Sequence, residues 1–565
     1  MWLFFVAEGS HACASGRVCE RARERAHAYA RTREGREELA GVRARGRGEV
    51  APNDPDPEAR RPMQAQLPSE GEVFAAVNKT FDSLRSWVAD DDRADAGHAD
   101  IERHVLSEVR EIGRCLIQAH LDLRALREQQ MPRPEAAPEG ATPRMLGRNL
   151  DTVLGTVRAQ RVAWQTQHRA AIIPLDRALD LPRELYSYGV QRFVAEQAET
   201  MSFGRTGLAL RAMGIEVPRR QREQIVLRMA KDFDDFYANR PLPANDTLRP
   251  GALLVMSADS VGVRVVHGSL REDTRKAAEA AAAAFVEAGS VRGDPMEPRV
   301  GHTHSCRMAV VTMNWDQDPQ PRRAEDILEQ FKPKAARELP EVKLPRPQNR
   351  RVRGTVAQSQ EDAVWEMFEE SQRRDPHHTR PWVALIDGSS SQREQILREA
   401  KERGVQVTLV LDLMHVLHYL WDCGKALHGG VTEGAQDWVT EHTKLLLTTP
   451  IGSTVSALRQ LVKTGKKSSG AKKALRKCAT YLENNAVALD YVKALASGYP
   501  IATGNVEGAC RYLIRDRMDI TGARWTTAGA EAMIKIRALQ KSGDWEEYCD
   551  HHFLQEHLRS YPKAA

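Results

Sequence analysis

Four carboxylates carry the chemistry that this chain could do. Asp259 directly follows the apolar run Leu-Leu-Val-Met-Ser-Ala. Asp387 directly follows Val-Ala-Leu-Ile and precedes Gly388 and three serines. Asp412 directly follows Val-Thr-Leu-Val-Leu. Each run has the length and apolarity of a short buried strand, and the C-terminal ends of such strands expose side chains to a ligand crevice in an open α/β sheet. A carboxylate there needs a cation, a hydrogen bond or water, because burying it alone is costly. Any one of these acids could be a loop or helix-capping aspartate, and Asp387 before Gly-Ser-Ser-Ser fits an N-cap. Three of them ending three apolar runs fit oxygen ligands for a hard divalent cation such as magnesium. A pair of such ions supports phosphodiester chemistry by activating a nucleophile and stabilising a leaving oxygen. The fourth acid, Glu507, lies in Thr-Gly-Asn-Val-Glu-Gly-Ala-Cys-Arg-Tyr-Leu-Ile-Arg-Asp-Arg-Met, residues 503–518. Thr503 or Asn505 could begin a helix there. Arg511 would then share a face with Glu507, and Arg515 and Arg517 follow. An intrahelical ion pair and a catalytic glutamate beside phosphate-holding arginines are the two readings of that segment.

The elements that would position these acids can be read coarsely. Leu253–Ala258, Val261–Val266 and Met308–Met313 are β-like, with an Ala-rich helical segment Arg271–Val286 between the second and third. A Pro-rich loop at 333–347, a helix near 359–373 and strands at Trp382–Ile386 and Val405–Leu411 come next, with helices at Gln392–Arg403 and Met414–Leu427. The order β-β-β-α-β-α-β-α predicts a mixed five-stranded sheet flanked by helices. Its first strands pair antiparallel and its later strand-helix-strand unit pairs parallel. We place the catalytic core's first part at 250–428, a basic helical insertion at 429–500, and a final helix with C-terminal helices at 501–550.

Upstream, residues 63–130 read as helical, with Ile101, Val105, Val109, Ile112 and Leu116 at helical spacing. Pro content makes 131–144 a linker. Residues 145–172 are more strand-like, through Val153, Val157 and Val162. The wider segment 145–245 is expected to be mainly helical. Within it, Ala195–Met213, a turn at 214–217 and Pro218 suit either a helix-turn-helix or a plain helical hairpin. Residues 1–62 hold twelve Arg, no Lys and ten acids. They read as a disordered extension, with translation starting at Met63 as the rival reading.

At these residues the chain resembles bacterial insertion-sequence transposases of the ISKra type, a group related to the Mutator-like transposases, over roughly 70–550. The resemblance rests on Pro174-Leu-Asp-Arg-Ala-Leu-Asp-Leu-Pro182, Ser-Ala-Asp259-Ser-Val-Gly-Val and Arg373-Arg-Asp-Pro-His-His-Thr-Arg-Pro-Trp-Val383 with Leu-Ile-Asp387-Gly. It continues with Leu-Asp412-Leu-Met-His415-Val-Leu-His-Tyr-Leu-Trp421, and with Val506-Glu507-Gly-Ala-Cys followed by Asp516-Arg-Met518 and Arg524-Trp525. It implies an RNase H-like core with an Asp-Asp-Glu metal triad. Asp259 and Asp387 match the two aspartates and Glu507 the glutamate. Two magnesium ions would be bound, with manganese a substitute. Asp412 and His415 match an Asp-x-x-His signature and are assigned an accessory role, with Asp412 in place of Asp387 as the other assignment. Relatives are expected to carry a Cys pair before the Pro-Leu-Asp motif; Val162–Ile173 has none. The implied activity is hydrolysis and strand transfer at an element's ends.

The implied partners are double-stranded DNA, as terminal inverted repeats and target, and further copies of the chain in a dimer or larger synaptic assembly. A structure-specific nuclease without strand transfer and a silent DNA-binding relative are the rival functions. Residues 442–482 hold nine Lys or Arg and no acid, a footprint for phosphates. Arg459, Lys463, Lys466, Lys467, Lys472, Lys473, Arg476 and Lys477, with Arg511 and Arg515, are the expected DNA contacts. The chain's net charge of +5, from 82 basic and 77 acidic side chains, dilutes that stretch. Eight scattered cysteines without a C-x-x-C pair argue against a disulfide scaffold or zinc ribbon. No apolar run approaches the ~20 residues of a membrane span. No nucleotide-binding P-loop is present. The expected location is a bacterial cytoplasm, on the nucleoid when acting. His415 and His418 lack the further ligands of a zinc site, and the alternation of His302, His304 and Cys306 before a strand reads as chance.

Overall fold

The structure is a computed structural model. It describes residues 67–93, 95–135, 137, 139–166, 169–241, 251–287, 306–332, 337–340, 342, 345–464, 467–502 and 504–562. The expected extension 1–62, and Lys466, His302, His304 and Thr503, lie outside the described residues. The chain divides into two compact units. Of the described residues, 326–332 and 337–340 belong to the smaller; those of 67–325 and 342–562 belong to the larger. Within the smaller unit, a 3-10 turn at Glu329–Phe331 is held where the Glu329 carboxylate meets Lys332 at 3.0 Å.

Two helices open the larger unit, α1 (Ala75–Val88) and α2 (His98–Gln129). A three-stranded antiparallel sheet follows: β1 (Thr142–Thr152), β2 (Gly155–Thr166) and β3 (Arg169–Ile172). Helix α2 covers it through Leu121, with Leu150, Val157, Ala159 and Leu181. The expectation that 145–245 is mainly helical is thus corrected over its first part, where the period-2 pattern governs. Helices α3 (Pro174–Ala178), α4 (Tyr188–Thr200), α5 (Phe203–Ala212), α6 (Arg219–Met229) and α7 (Phe233–Asn239) come next. The expected single helix Ala195–Met213 is broken, because the Ser202 hydroxyl accepts from the Arg205 amide and caps a new helix.

The second sheet has the order β6-β5-β4-β7-β8. Its strands are β4 (Leu253–Arg264), β5 (Cys306–Gln317), β6 (Gln348–Thr355), β7 (Trp382–Ile386) and β8 (Val407–Leu411). β6, β5 and β4 pair antiparallel; β4, β7 and β8 pair parallel. Helix α8 (Glu272–Glu287) lies in sequence between β4 and β5, α9 (Gln360–Arg374) between β6 and β7, and α10 (Ser390–Glu402) between β7 and β8. The broad expectation of a mixed five-stranded sheet with helices holds, but two details change.

The runs Leu253–Ala258 and Val261–Val266 are one strand rather than two. Nothing at Asp259-Ser260 breaks the ladder, and twelve consecutive residues pair with β5. The missing fifth strand is β6, which apolar patterning could not reveal because its only large aliphatic residue is Val352. Arg351 stands buried in β6 because Glu370 pairs with it at 2.9 Å. The Glu370 carboxylate also takes Arg374 at 2.7 Å, and Asp316 takes Arg380 at 2.6 Å. Arg380 donates in turn to the Leu253 carbonyl at 2.8 Å, tying the start of β7 to the start of β4.

The motif Arg373–Val383 is explained by this end of the sheet. Asp375 accepts from the Thr379 and Arg380 amides at 3.0 Å each and from the Trp382 indole at 2.9 Å. It shapes the loop entering β7 and lies away from the four acids.

Helices α9 and α10 pack on one face of the sheet, where Asn314 donates to the Met367 carbonyl at 3.0 Å. The other face takes α16 (Gly504–Ala509), a π-helical turn Cys510–Arg515, and α18 (Thr527–Ser542), with α17 (Asp516–Met518) before it and α19 (Trp545–Ser560) closing the chain. Gly354 of β6 allows this closeness, since a Cβ there would lie 2.8 Å from both Leu513 and Ile534. After β8 come α11 (Leu413–His428) and the helical insertion: α12 (Glu433–Thr448), α13 (Ile451–Lys463), α14 (Ser469–Asn484) and α15 (Tyr491–Ala496). Among the described residues no helix is long and apolar enough to cross a membrane.

Candidate metal centre and basic helical face

Strand register sets three acids in a row. Ile386 pairs with Leu411, so Asp387 and Asp412 leave adjacent strands side by side. Ser257 pairs with Leu385, so Asp259 lies two steps on, level with Asp387. Neighbouring strands are about 4.8 Å apart, which spaces the row closely. β7 ends at Ile386 while β4 runs on to Arg264. Asp259 is therefore a mid-strand residue, not a strand end. It gains its opening where the neighbouring strand stops, and this corrects the expected placement. Glu507 arrives from α16, which packs on β4 and β5.

Each aspartate is held by a backbone amide. Asp259 Oδ1 accepts from Ser260 at 2.6 Å, Asp387 Oδ1 from Ser389 at 2.8 Å, and Asp412 Oδ1 from Met414 at 2.9 Å. Asp412 thereby caps α11, whereas α10 is capped by Ser389 rather than Asp387. The second oxygens differ. Asp412 Oδ2 is 2.9 Å from His415 Nδ1, and Asp259 Oδ2 accepts from the Cys510 thiol at 3.4 Å. Glu507 Oε1 is 3.9 Å from His415 Nδ1. One ligand atom from each of Asp412, His415 and Glu507 lies within 4.8 Å of the others.

The electrostatics bind the group together. Glu507 is raised above the usual carboxylate range by burial, then by the charges of Asp412 and Asp259, with His415 opposing. His415 is raised by its hydrogen bond to Asp412, against burial, and then by the charges of Asp412, Glu507 and Asp387. All five side chains therefore share one field, and four of them carry negative charge when ionised.

Both raised groups act in one direction on stability. The imidazolium of His415 contributes fully below its ordinary value of 6.5, and that contribution is lost as pH rises through the raised folded value. Glu507, raised from 4.5, likewise loses a favourable contribution as pH rises through its folded value. In chelator, the protein is expected to melt at a lower temperature at about pH 8.5 than at about pH 6, and His415→Asn should shrink that difference. A melting temperature that climbs over that interval in wild type would contradict the assignment.

The basic residues divide. Lys463, Lys473, Arg476 and Lys477 are exposed and Lys472 is half-buried. Lys467 donates to the Thr464 carbonyl at 2.6 Å, and Lys477 sits 5.0 Å from the Tyr419 ring. Arg459 is not a free cation: Glu483, one residue past the acid-free stretch, takes its Nε at 2.7 Å across the α13–α14 packing. Arg515 is exposed, and Arg511, also exposed, pairs with Asp516 at 3.6 Å. Arg517 is buried, donates to the Ala198 carbonyl at 2.6 Å and stacks on Trp525 at 4.8 Å. Burial pushes it down to about 10. Its role is structural, which corrects the expectation of a phosphate contact.

Another cluster, Asp232, His552 and Glu556, could also hold an ion by distance alone. Arg559 occupies it instead, meeting Asp232 Oδ1 at 2.7 Å. Burial opposes ionisation of Asp232, but hydrogen bonds from His552 and Arg559 outweigh it and hold the carboxyl far below its usual range.

Residues that sequence reasoning missed are Cys510, Tyr481 and Tyr491. The Tyr481 hydroxyl donates to the Asp387 carbonyl at 2.9 Å, and the Tyr491 hydroxyl to the Leu411 carbonyl at 2.8 Å. No local signal marks either tyrosine, though Cys510 stands one helical turn from Glu507. The chain was compared with protein-family models and with curated proteins, and nothing matched in either comparison.

Proposed function

We propose that this chain is a metal-dependent DNA transposase of the Asp-Asp-Glu type, cutting and joining DNA at the ends of a mobile element. The observation that carries the reading is the convergence of Asp259, Asp387, Asp412 and Glu507, with His415, where β4, β7 and β8 meet α16. The sheet order β6-β5-β4-β7-β8, with three antiparallel strands followed by two parallel ones, supports an RNase H-like core. The π-helical turn that continues α16, beginning three residues after Glu507, adds support, since such turns recur at functional sites.

Oxygen-rich and short of cations, the donor set fits hard divalent ions such as magnesium, or manganese in its place. Asp259, Asp387 and Glu507 would hold two such ions. Distance alone favours Asp412 and His415 beside Glu507, but both Asp412 oxygens are held at 2.9 Å, by the Met414 amide and His415, whereas the second oxygen of Asp259 meets only the Cys510 thiol, at 3.4 Å. Asp387 uses only Oδ1 among the described residues, so we keep it as the second aspartate ligand. Asp412 then orients His415 and caps α11. Bound ions would activate the attacking oxygen, water or a DNA 3′-hydroxyl, and stabilise the leaving one. Two element ends must be held at once, which supports a dimer or larger assembly.

The exposed cations of α14 supply the DNA backbone contact in this reading. Lys473→Glu with Arg476→Glu is expected to weaken binding of a duplex end at least about ten-fold. It should flatten the dependence of log K on log salt by about 0.9 per lost contact. Fluorescence anisotropy across a salt series reads both, and unchanged affinity would remove α14 from the interface. The activity itself is tested by joining an end of the element to plasmid DNA. Joined product supports the transposase. Cutting without joining selects the nuclease, and neither selects a silent DNA-binding relative.

A further inference from the structure

We infer that Tyr481 is a positioning residue through which DNA held on α14 sets the geometry of Asp387. The inference rests on the reading of Asp387 as a metal ligand and deepens it.

Three sets of contacts carry it. First, the Tyr481 hydroxyl donates to the Asp387 carbonyl at 2.9 Å. The turn is shaped to receive it. Gly388 has φ +97°, and a Cβ there would lie 2.5 Å from that hydroxyl. Second, the last turn of α14 grips the element after the turn. Arg393 of α10 donates to the Asn484 carbonyl at 2.6 Å and to Asn485 Oδ1 at 2.8 Å. The same helix end therefore holds both the Asp387 turn and the helix that follows it. Third, that helix is the basic one. Lys473, Lys477 and Tyr481 follow each other at four-residue spacing, so they share one helical face. The Tyr481 ring stacks on Tyr419 of α11 at 4.0 Å and 12°, and the Lys477 ammonium lies 5.0 Å from the same Tyr419 ring. Asp412 caps α11. A phosphate drawing on Lys473 and Lys477 thus acts on the helix whose end fixes Asp387, and through the tyrosine stack on the helix that Asp412 begins.

Coupling of this kind is reciprocal. DNA should tighten divalent-ion binding, and the ion should tighten DNA binding by the same factor. The test uses the full chain, with Mn2+ as probe and free Mn2+ read by electron paramagnetic resonance. Titrations are run with and without a DNA duplex. In wild type the duplex is expected to tighten Mn2+ binding about ten-fold. Tyr481→Phe keeps the ring and its stack and loses only the hydroxyl. It should bind duplex as wild type does in chelator, yet lose most of the tightening. Tyr419→Phe, which leaves the Tyr481 hydroxyl in place, should keep it. Full tightening in Tyr481→Phe, or no tightening in wild type, overturns the inference while leaving the metal centre standing. A wild-type protein that binds Mn2+ no better than Asp387→Asn overturns the metal reading itself, and the inference with it.

Discussion

Glu507→Gln is expected to abolish metal-dependent cutting and joining while leaving the fold intact and slightly firmer. Glu507 sits where burial first, and then the charges of Asp412 and Asp259, disfavour its charge, with His415 opposing. Without an ion, ionised Glu507 is a cost to the folded state, and Gln removes the charge at nearly equal volume. The side chain is 47% exposed, so solvent screens the repulsion and the gain stays below about 1 kcal/mol. The loss on the chemical side is far larger. Taking one carboxylate from the set that would hold two ions is expected to lower the rate about 1,000-fold or more, equivalent to about 4 kcal/mol of transition-state stabilisation. Calorimetry in chelator and a cleavage assay in magnesium read the two effects on one preparation. A variant that is both less stable and fully active would mean that Glu507 serves the fold alone.

Glu370→Ala is expected to produce the largest loss of stability. Glu370 is buried between Arg351 and Arg374, and its side chain is 2% exposed. Burial opposes its ionisation, but the charges of Arg374 and Arg351 prevail and hold it below the usual carboxylate range. Its removal leaves two buried guanidinium groups short of a counter-charge, a change that typically costs about 3–5 kcal/mol. In a unit of this size the melting temperature should fall by roughly 3–5 °C. The effect reaches the site. Arg374 also faces Asp316 at 3.7 Å, and Asp316 holds Arg380, which ties β7 to β4. That tie lies at the end of the sheet opposite the acids, and it helps fix the register that sets Asp387 level with Asp259. Glu370→Ala should therefore lower activity more than melting alone explains at permissive temperature. A change under about 1 kcal/mol would show the network to be dispensable.

The sequence revealed some of this plainly. β7, between β4 and β8, is apolar and buried throughout, and β8, at the sheet's edge, is buried over Leu409–Leu411; such segments announce themselves. The acids that follow them were legible for the same reason, because polarity changes abruptly at Asp387 and Asp412. β6 was not legible. Its buried arginine is neutralised by Glu370, nineteen residues later and on a helix, and no local pattern encodes that pairing. Asp259 looked like a strand end because its flanking apolar runs are each short. Its real opening comes from the shorter length of β7, a property of the assembled sheet. Arg459 looked free because its partner, Glu483, lies just past the acid-free stretch and on the next helix. Tyr481 is ninety-four residues from Asp387, so its hydrogen bond exists only once α14 has packed against α11.

The joining reaction tests the central claim most directly. A duplex carrying the element's own end and a free 3′-hydroxyl is incubated with plasmid, magnesium and the full-length protein. The same reaction is run with Asp259→Asn, Asp387→Asn and Glu507→Gln. Wild type should join the end to the plasmid, and all three variants should bind the duplex within about two-fold of wild type yet yield product at or below about one thousandth of its rate. Wild-type joining by the three variants would contradict the assignment of these residues as the metal-binding triad.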